Sequence, residues 1–474
     1  QLTHVAPYWH AGEPWGAVNP KDPDNVVIFD TELYNETSPG GTPQVDTEPR
    51  SSDHLFTFRC GVSVTFDGGR TWRFRDFDHP GAIGGRYDCI DPSVTADKDG
   101  AMHVIYFVGI GEPQADTGDV RGEAQVRTSR DGGRTWGPPS AALGQLEFAQ
   151  TFPQGHLYPT PLCPPTDRVW LTSDFTNGVL YATGNGDGAA PCDEAVAVSN
   201  EGQGRYVVAS HDHGRSWSAP YPIGQGMHAA AFGTLVITTT ADGSAYTFKL
   251  SRDDGRTFIR RPVPVVAGSV SVNPLAPGLS QLDAPKTAAD PTRRGHYAVL
   301  VATHQTSQFD VLLTTDSGKT WARTAVLKGA TGTVTEPALA YGPTGDLGAA
   351  WRLVHPDGSY DSLATVSLDG GRTFTRAVRL TSTASPASAA SLGDDCQCFV
   401  YPDGATLWTA WGDNRTDNRE VFYSKVYYRA SRRAGPAAGP RDHESAKTAF
   451  PRPDAGGQAS ASKAFDPITL PEVE

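Results

Sequence analysis

Methionine is nearly absent from the 474-residue chain, with two copies, and cysteine is scarce at six. No apolar run approaches the ~18 residues that a membrane-spanning helix needs, which excludes such a span. A basic excess is also missing. Forty Lys and Arg against 53 Asp and Glu leave a formal charge of -13, which argues against a nucleic-acid binder, since that role needs a basic face to displace counterions. Room for long helices is lacking too: 51 Gly and 37 Pro are spread along the chain, and both residues break helices. The sequence contains no G-x-S-x-G elbow, H-E-x-x-H pair, P-loop or EF-hand loop. The six cysteines (Cys60, Cys89, Cys163, Cys192, Cys396 and Cys398) show no C-x2-C metal spacing. An even cysteine count suits an oxidising, extracellular setting, and sequential pairing is the simplest of 15 connectivities. Gln1 runs directly into folded-looking sequence, as expected of a mature secreted chain after signal removal.

What is present is a repeat. Thr65-Phe-Asp67-Gly-Gly69-Arg-Thr71-Trp72 recurs at Ser129–Trp136, Ser210–Trp217, Ser251–Phe258, Thr314–Trp321 and Ser367–Phe374. Each copy reads as a hairpin turn. The Asp carboxylate accepts bonds from its own turn, the Gly two residues on supplies a positive φ, and the aromatic folds back as a plug. Unit starts fall at Glu13, Asp91, Tyr158, His228, Asp283, Glu336 and Asp395, each followed by β-rich runs such as Val26–Phe29, Met102–Phe107 and Val169–Thr172. The latter are read as second strands. This rhythm predicts an all-β, seven-bladed β-propeller of four-stranded antiparallel blades, with six blades as the runner-up. Residues 1–430 form the propeller, closed by Leu2–Ala6 in the last blade, and 431–474 form a flexible Ala/Gly/Pro/Ser-rich tail.

The turns resemble the Asp boxes (bacterial neuraminidase repeats) of the sialidase superfamily, over roughly residues 10 to 430. The resemblance implies a propeller fold and a glycan substrate. It further implies a Tyr nucleophile partnered by Glu, an acid/base Asp, and three arginines clamping a substrate carboxylate. One departure is clear: no Arg-Ile-Pro motif stands near the N-terminus, where the corresponding strand reads Glu13-Pro-Trp-Gly.

Strand alternation puts the Asp boxes on one face of the ring and the starts of first strands on the other, around the channel mouth, where ligand sites gather. Glycosidase chemistry needs carboxyls whose pKa values are driven apart. Asp91 and Glu336 are the candidate acid/base pair, Tyr158 the candidate Tyr, and His304 a candidate base for uronate elimination. Arg86, Arg352 and Arg415, with bidentate geometry for carboxylates, join His228, Asp395 and Asp413 as candidate substrate-binding groups. His211-Asp-His213 superficially resembles a metal pair, but its place in a box marks it as structural, and no metal site is assigned. No cofactor is required; the crowded carboxylates leave room for a structural cation at the mouth. The expected function is a secreted, monomeric glycan-acting enzyme, a glycoside hydrolase in preference to a polysaccharide lyase. The alternative is a non-catalytic carbohydrate- or protein-binding propeller.

Overall fold

The computed structural model describes residues 9–34, 58–77, 88–110, 121–143, 165–186, 205–223, 227–241, 245–264, 286–303, 308–327, 331–386, 399–416 and 418–429. They form an all-β, seven-bladed propeller. Blade 1 is β1 (Trp9–Asn19), β2 (Asp22–Tyr34), β3 (Phe58–Thr65) and β4 (Arg73–Asp76); blade 2 is β5 (Asp88–Ala96), β6 (Met102–Ile110), β7 (Arg121–Ser129) and β8 (Ser140–Leu143). Blade 3 holds β9 (Pro165–Ser173), β10 (Leu180–Gly186), β11 (Arg205–Ser210) and β12 (Tyr221–Pro222). Blade 4 holds β13 (His228–Ala231), β14 (Thr234–Ala241), β15 (Ala245–Ser251) and β16 (Ile259–Pro262). Blade 5 holds β17 (Lys286–Ala289), β18 (Tyr297–Thr303), β19 (Gln308–Thr314) and β20 (Ala322–Leu327). Blade 6 holds β21 (Thr333–Tyr341), β22 (Leu347–Val354), β23 (Tyr360–Ser367) and β24 (Val378–Arg379). Blade 7 shows three strands among the described residues, β25 (Phe399–Pro402), β26 (Thr406–Thr416) and β27 (Asn418–Tyr427). Leu2–Ala6 and the tail lie outside the described residues. No helix among the described residues is long and apolar enough to cross a membrane.

Packing follows from strand alternation. Side chains of successive residues point to opposite faces of a blade, so a middle strand must be apolar at every position to serve two neighbours. Val26 and Ile28 of β2 pack against Phe399, Trp408 and Val421 of blade 7. Val27 and Phe29, one residue out of step, pack against Val104 and Tyr106 of blade 2. Each blade junction has its own buried cluster of this kind, and the cluster between blades 7 and 1 closes the ring.

The six repeated turns adopt one geometry. In every copy Asp Oδ1 accepts the backbone N–H of the Thr or Ser four residues on at 2.9–3.0 Å, and Oδ2 accepts its hydroxyl at 2.6–2.7 Å. The opening Ser or Thr hydroxyl accepts the N–H of the Gly four residues on. That Gly is demanded twice over at Gly133: its φ is 94°, and a Cβ there would stand 2.8 Å from Val27 of the preceding blade. The aromatics plug backwards as expected. Trp136 meets Phe29 of blade 1 and Trp321 meets Phe248 of blade 4, both edge-on with centroids 5.3 and 5.2 Å apart. At the ring's seam, Tyr423 and Lys425 of β27 donate to the carbonyls of Gly69 and Gly68 in the first box, at 2.7 and 3.0 Å.

The boxes share their face with the first-to-second strand turns, as the Gly68 N–H to Asp24 carbonyl bond of 2.9 Å shows. We call this the lower face. One strand assignment needs correction. Val169–Thr172 belongs to the inner strand β9, not to a second strand, so blade 3 begins at Pro165 rather than near Tyr158. Asp174 therefore sits in a lower-face turn, accepting the Gly233 N–H at 2.6 Å. The apolar run of Val169–Leu171 fits an inner or a second strand equally well, and only pairing separates them. Cys60 and Cys89 form a disulfide between β3 and β5, consistent with sequential pairing for that pair; the other four cysteines lie outside the described residues.

Candidate functional site at the upper face

Three inner strands carry the same irregularity near their upper ends. β1, β5 and β21 lose register with their neighbours between Gly12 and Trp15, Ile90 and Ser93, and Thr335 and Ala338. Each bulge holds an acid followed by proline: Glu13-Pro14, Asp91-Pro92 and Glu336-Pro337. Proline has no N–H for the ladder and restricts the residue before it. The acids nevertheless take φ values of 52°, 50° and 48°, away from the extended backbone that a following proline favours and in the left-handed region that costs a non-glycine residue ~1–2 kcal/mol. Such strain persists where the surroundings impose it, and it concentrates at functional sites.

Blades 1 and 2 are tied together there by one hydroxyl. Thr31 Oγ1 donates to Glu13 Oε2 and accepts the Asp91 backbone N–H, both at 3.2 Å. On the opposite face of β2, its neighbours Asp30 and Glu32 are buried. Neither Asp30 oxygen has a hydrogen-bond partner among the described residues, and a Cβ on Gly61, opposite it, would lie 2.8 Å from Oδ1. Burial pushes the Asp30 carboxyl well above its ordinary range, and the charges of Glu32 and Glu420 push further. Burial raises Glu32 to about 7, although Arg59 pulls it down. Arg59 donates through Nε to Glu32 Oε2 and through Nη1 to Asp76 Oδ2 at 3.2 Å. A buried carboxyl that keeps its proton near neutral pH is a usable acid.

Across the seam, Asp413 at the upper end of β26 has the opposite character. Burial raises it, but bonds from Arg415 and from Trp411 Nε1 win and hold its carboxyl below the usual range. Ser385 of blade 6 also donates to it, at 2.8 Å. Arg352, fully buried, lies over the Tyr360 ring at 4.4 Å and reaches the Gly412 carbonyl at 3.3 Å. Tyr360 Oη donates to the same carbonyl at 3.1 Å.

The channel itself is a space of about 230 Å³ walled by all seven inner strands. Its wall is mostly apolar, with Trp15, Trp170 and Tyr401 among its aromatics and with His228 and Lys286 among its polar side chains. His228 is buried, with Nε2 3.1 Å from the Tyr181 carbonyl and Nδ1 3.4 Å from Thr183 Oγ1. Lys286 Nζ stands 5.9 Å from the Trp170 ring centre.

Of the residues singled out from sequence, Asp91 is half-buried at a bulge and Glu336 is buried at another. Arg352, Arg415 and Asp413 meet at the upper ends of blades 6 and 7, while His228 stands apart in the channel wall. Tyr158, His304, Arg86 and Asp395 lie outside the described residues. Glu32 and Arg59 were missed. The Asp30-x-Glu32 spacing at the end of a second strand was the available signal, since it places both carboxyls on one face.

No protein-family model matches the chain, and no curated protein matches it. Among solved structures it is similar to a protein of unknown function from Dyadobacter fermentans, at 14% identity over 77% of this chain and 96% of that one, TM-score 0.47. It is similar to the Hadza microbial sialidase Hz136, at 17% identity over 79% and 74% of the two chains, TM-score 0.46. It is also similar to an alpha-L-arabinofuranosidase from Fusarium graminearum, at 13% identity over 72% and 93%, TM-score 0.41.

Proposed function

We propose that this chain is a secreted enzyme acting on an extracellular glycan, a glycoside hydrolase working at the upper mouth of the ring. The observation that carries the reading is the contrast between carboxyls on one face. Glu32 holds its proton to about pH 7, whereas Asp413, across the seam, is held ionised. Hydrolysis of a glycosidic bond needs one carboxyl of each kind. In this reading Asp91, half-buried and linked through Thr31 to Glu13, meets substrate, with Glu336 on the equivalent bulge of blade 6 as its partner. Arg352 and Arg415 supply positive charge at the same end. The Cys60–Cys89 disulfide suits an oxidising compartment.

The aromatic channel wall favours a second reading, a propeller that binds sugar rings by stacking without turning them over. One screen separates the two. The purified protein is incubated with a panel of polysaccharides, reading new reducing ends and the ultraviolet absorbance of unsaturated uronates. We expect reducing ends without unsaturation, lost at least a hundredfold in Asp91→Asn and Glu336→Gln while melting stays nearly unchanged. Unsaturated product would reassign the chain as a lyase, and retention of a glycan without product would establish the binding reading.

A further inference from the structure

On the lower face, far from the bulges, two histidines and an aspartate from separate segments converge. Asp97 stands in the first-to-second strand turn of blade 2, His103 on β6, and His213 in the box of blade 3. His103 Nε2 and His213 Nδ1 lie 3.1 and 3.2 Å from the same oxygen, Asp97 Oδ2. The three candidate ligand atoms are all within 4.8 Å of one another, and the two rings are nearly parallel, 12° apart. His211, the other histidine of that box, turns away and meets Asp254 Oδ2 at 3.0 Å. The pair suggested by His211-Asp-His213 is therefore not a pair.

We propose that Asp97, His103 and His213 form a binding site for Zn²⁺ that clamps blade 2 to blade 3. The surrounding hydrogen bonds fit this assignment. Thr128 has one hydroxyl proton and two neighbours, the His213 carbonyl at 3.2 Å and His103 Nδ1 at 2.9 Å. Donation to the carbonyl makes Nδ1–H of His103 the donor to Thr128 Oγ1. Nε2 is then the ring nitrogen left facing Asp97 Oδ2, the atom through which the imidazole ligates. A metal ion between them takes the place of the proton that the Nε2–Oδ2 contact otherwise shares, and it ties both side chains to His213 Nδ1. The Nδ1–H to Thr128 bond becomes the outer contact that fixes a ligating imidazole. Asp97 Oδ1 is held by the backbone N–H groups of Asp99 and Ala101, at 2.9 and 3.0 Å, leaving Oδ2 to ligate.

The geometry agrees. Zinc bonds of about 2.0–2.1 Å in a tetrahedron set ligand atoms roughly 3.3 Å apart, close to the two distances seen. Asp97 and His103 are buried, whereas His213 is 39% exposed, so the fourth position opens to water. His213 occupies a left-handed backbone position, φ 62°, that Gly68, Gly132 and Gly370 fill in three other boxes and Asp254 and Ser317 in the remaining two.

The test uses the full chain, stripped with a chelator and titrated with Zn²⁺ against a chromophoric competitor, with Co²⁺ as a spectroscopic probe. We expect one tight equivalent and a visible Co²⁺ band typical of tetrahedral coordination. His213→Gly, which installs the residue native to three other boxes and so keeps the fold, should weaken binding at least tenfold and abolish the band. His211→Asn should leave both unchanged. The absence of a tight equivalent in the parent chain, its survival in His213→Gly, or its loss in His211→Asn would each overturn the assignment.

Discussion

Glu32→Gln is the most informative single change, because it separates what the upper-face acids do for folding from what they do for chemistry. Glutamine has the shape of the protonated carboxyl. In the folded chain burial lifts Glu32 from 4.5 to about 7, so the folded state binds more protons than the unfolded chain between those values. Stability from this group is then complete below pH 4.5 and falls as pH rises toward 7. The interval corresponds to roughly 3 kcal/mol. A chain of this size unfolds with an entropy of ~0.9 kcal/mol/K over its ring, so the effect on melting is roughly 4 °C. Melting curves followed by circular dichroism at pH 4.5 and pH 8 provide the assay. The variant and the parent should coincide at pH 4.5, and the variant should melt roughly 4 °C higher at pH 8 while losing glycan turnover. A variant that melts lower at pH 8 would show that the ion pair with Arg59 outweighs desolvation, and the account of a proton-holding carboxyl would fail.

Four further outcomes are expected. Asp131→Ala removes the acceptor for the Thr135 N–H and hydroxyl, and a loss of about 2–4 kcal/mol should appear in urea unfolding. Acid should open the ring through the same turns: Asp212 and Asp316 are each lowered to about 2 by bonds within their turns, so the stability they add is present above pH 4 and lost as pH falls toward 2, read as an acid unfolding midpoint. Gly61→Ala drives a methyl to within 2.8 Å of Asp30 and Phe74, and a cost of ~1–3 kcal/mol in urea unfolding is expected. Removing the Cys60–Cys89 link, which closes a 29-residue separation, should lower stability by about 3–4 kcal/mol on the chain-entropy account, read by unfolding with and without reductant.

Much of the architecture was legible in the chain because it is written locally. A box turn is made by residues within eight positions of one another, so Asp67, Gly69, Thr71 and Trp72 announce a hairpin wherever they stand. Six such turns among seven strand-rich units then leave few arrangements other than a ring. The bulged acids were legible for a similar reason, since an acid followed by proline at a strand start breaks the ladder by itself. Blade 3 was misread by one strand because Val169–Leu171 is an apolar run, and apolar runs do not say whether they lie innermost or second.

Residue order alone thus determined the ring, its lower-face turns and the position of Glu13, Asp91 and Glu336 on the opposite rim. Only the tertiary structure decided which carboxyls keep their protons. Asp30 and Glu32 are ordinary acids in the sequence, and their character comes from burial between β3 and the seam with blade 7. It likewise decided that His213 meets His103 and Asp97, more than a hundred positions away along the chain, rather than its near neighbour His211. Desolvation and coordination depend on what closes over a group in space, and neighbours along the chain carry no record of that.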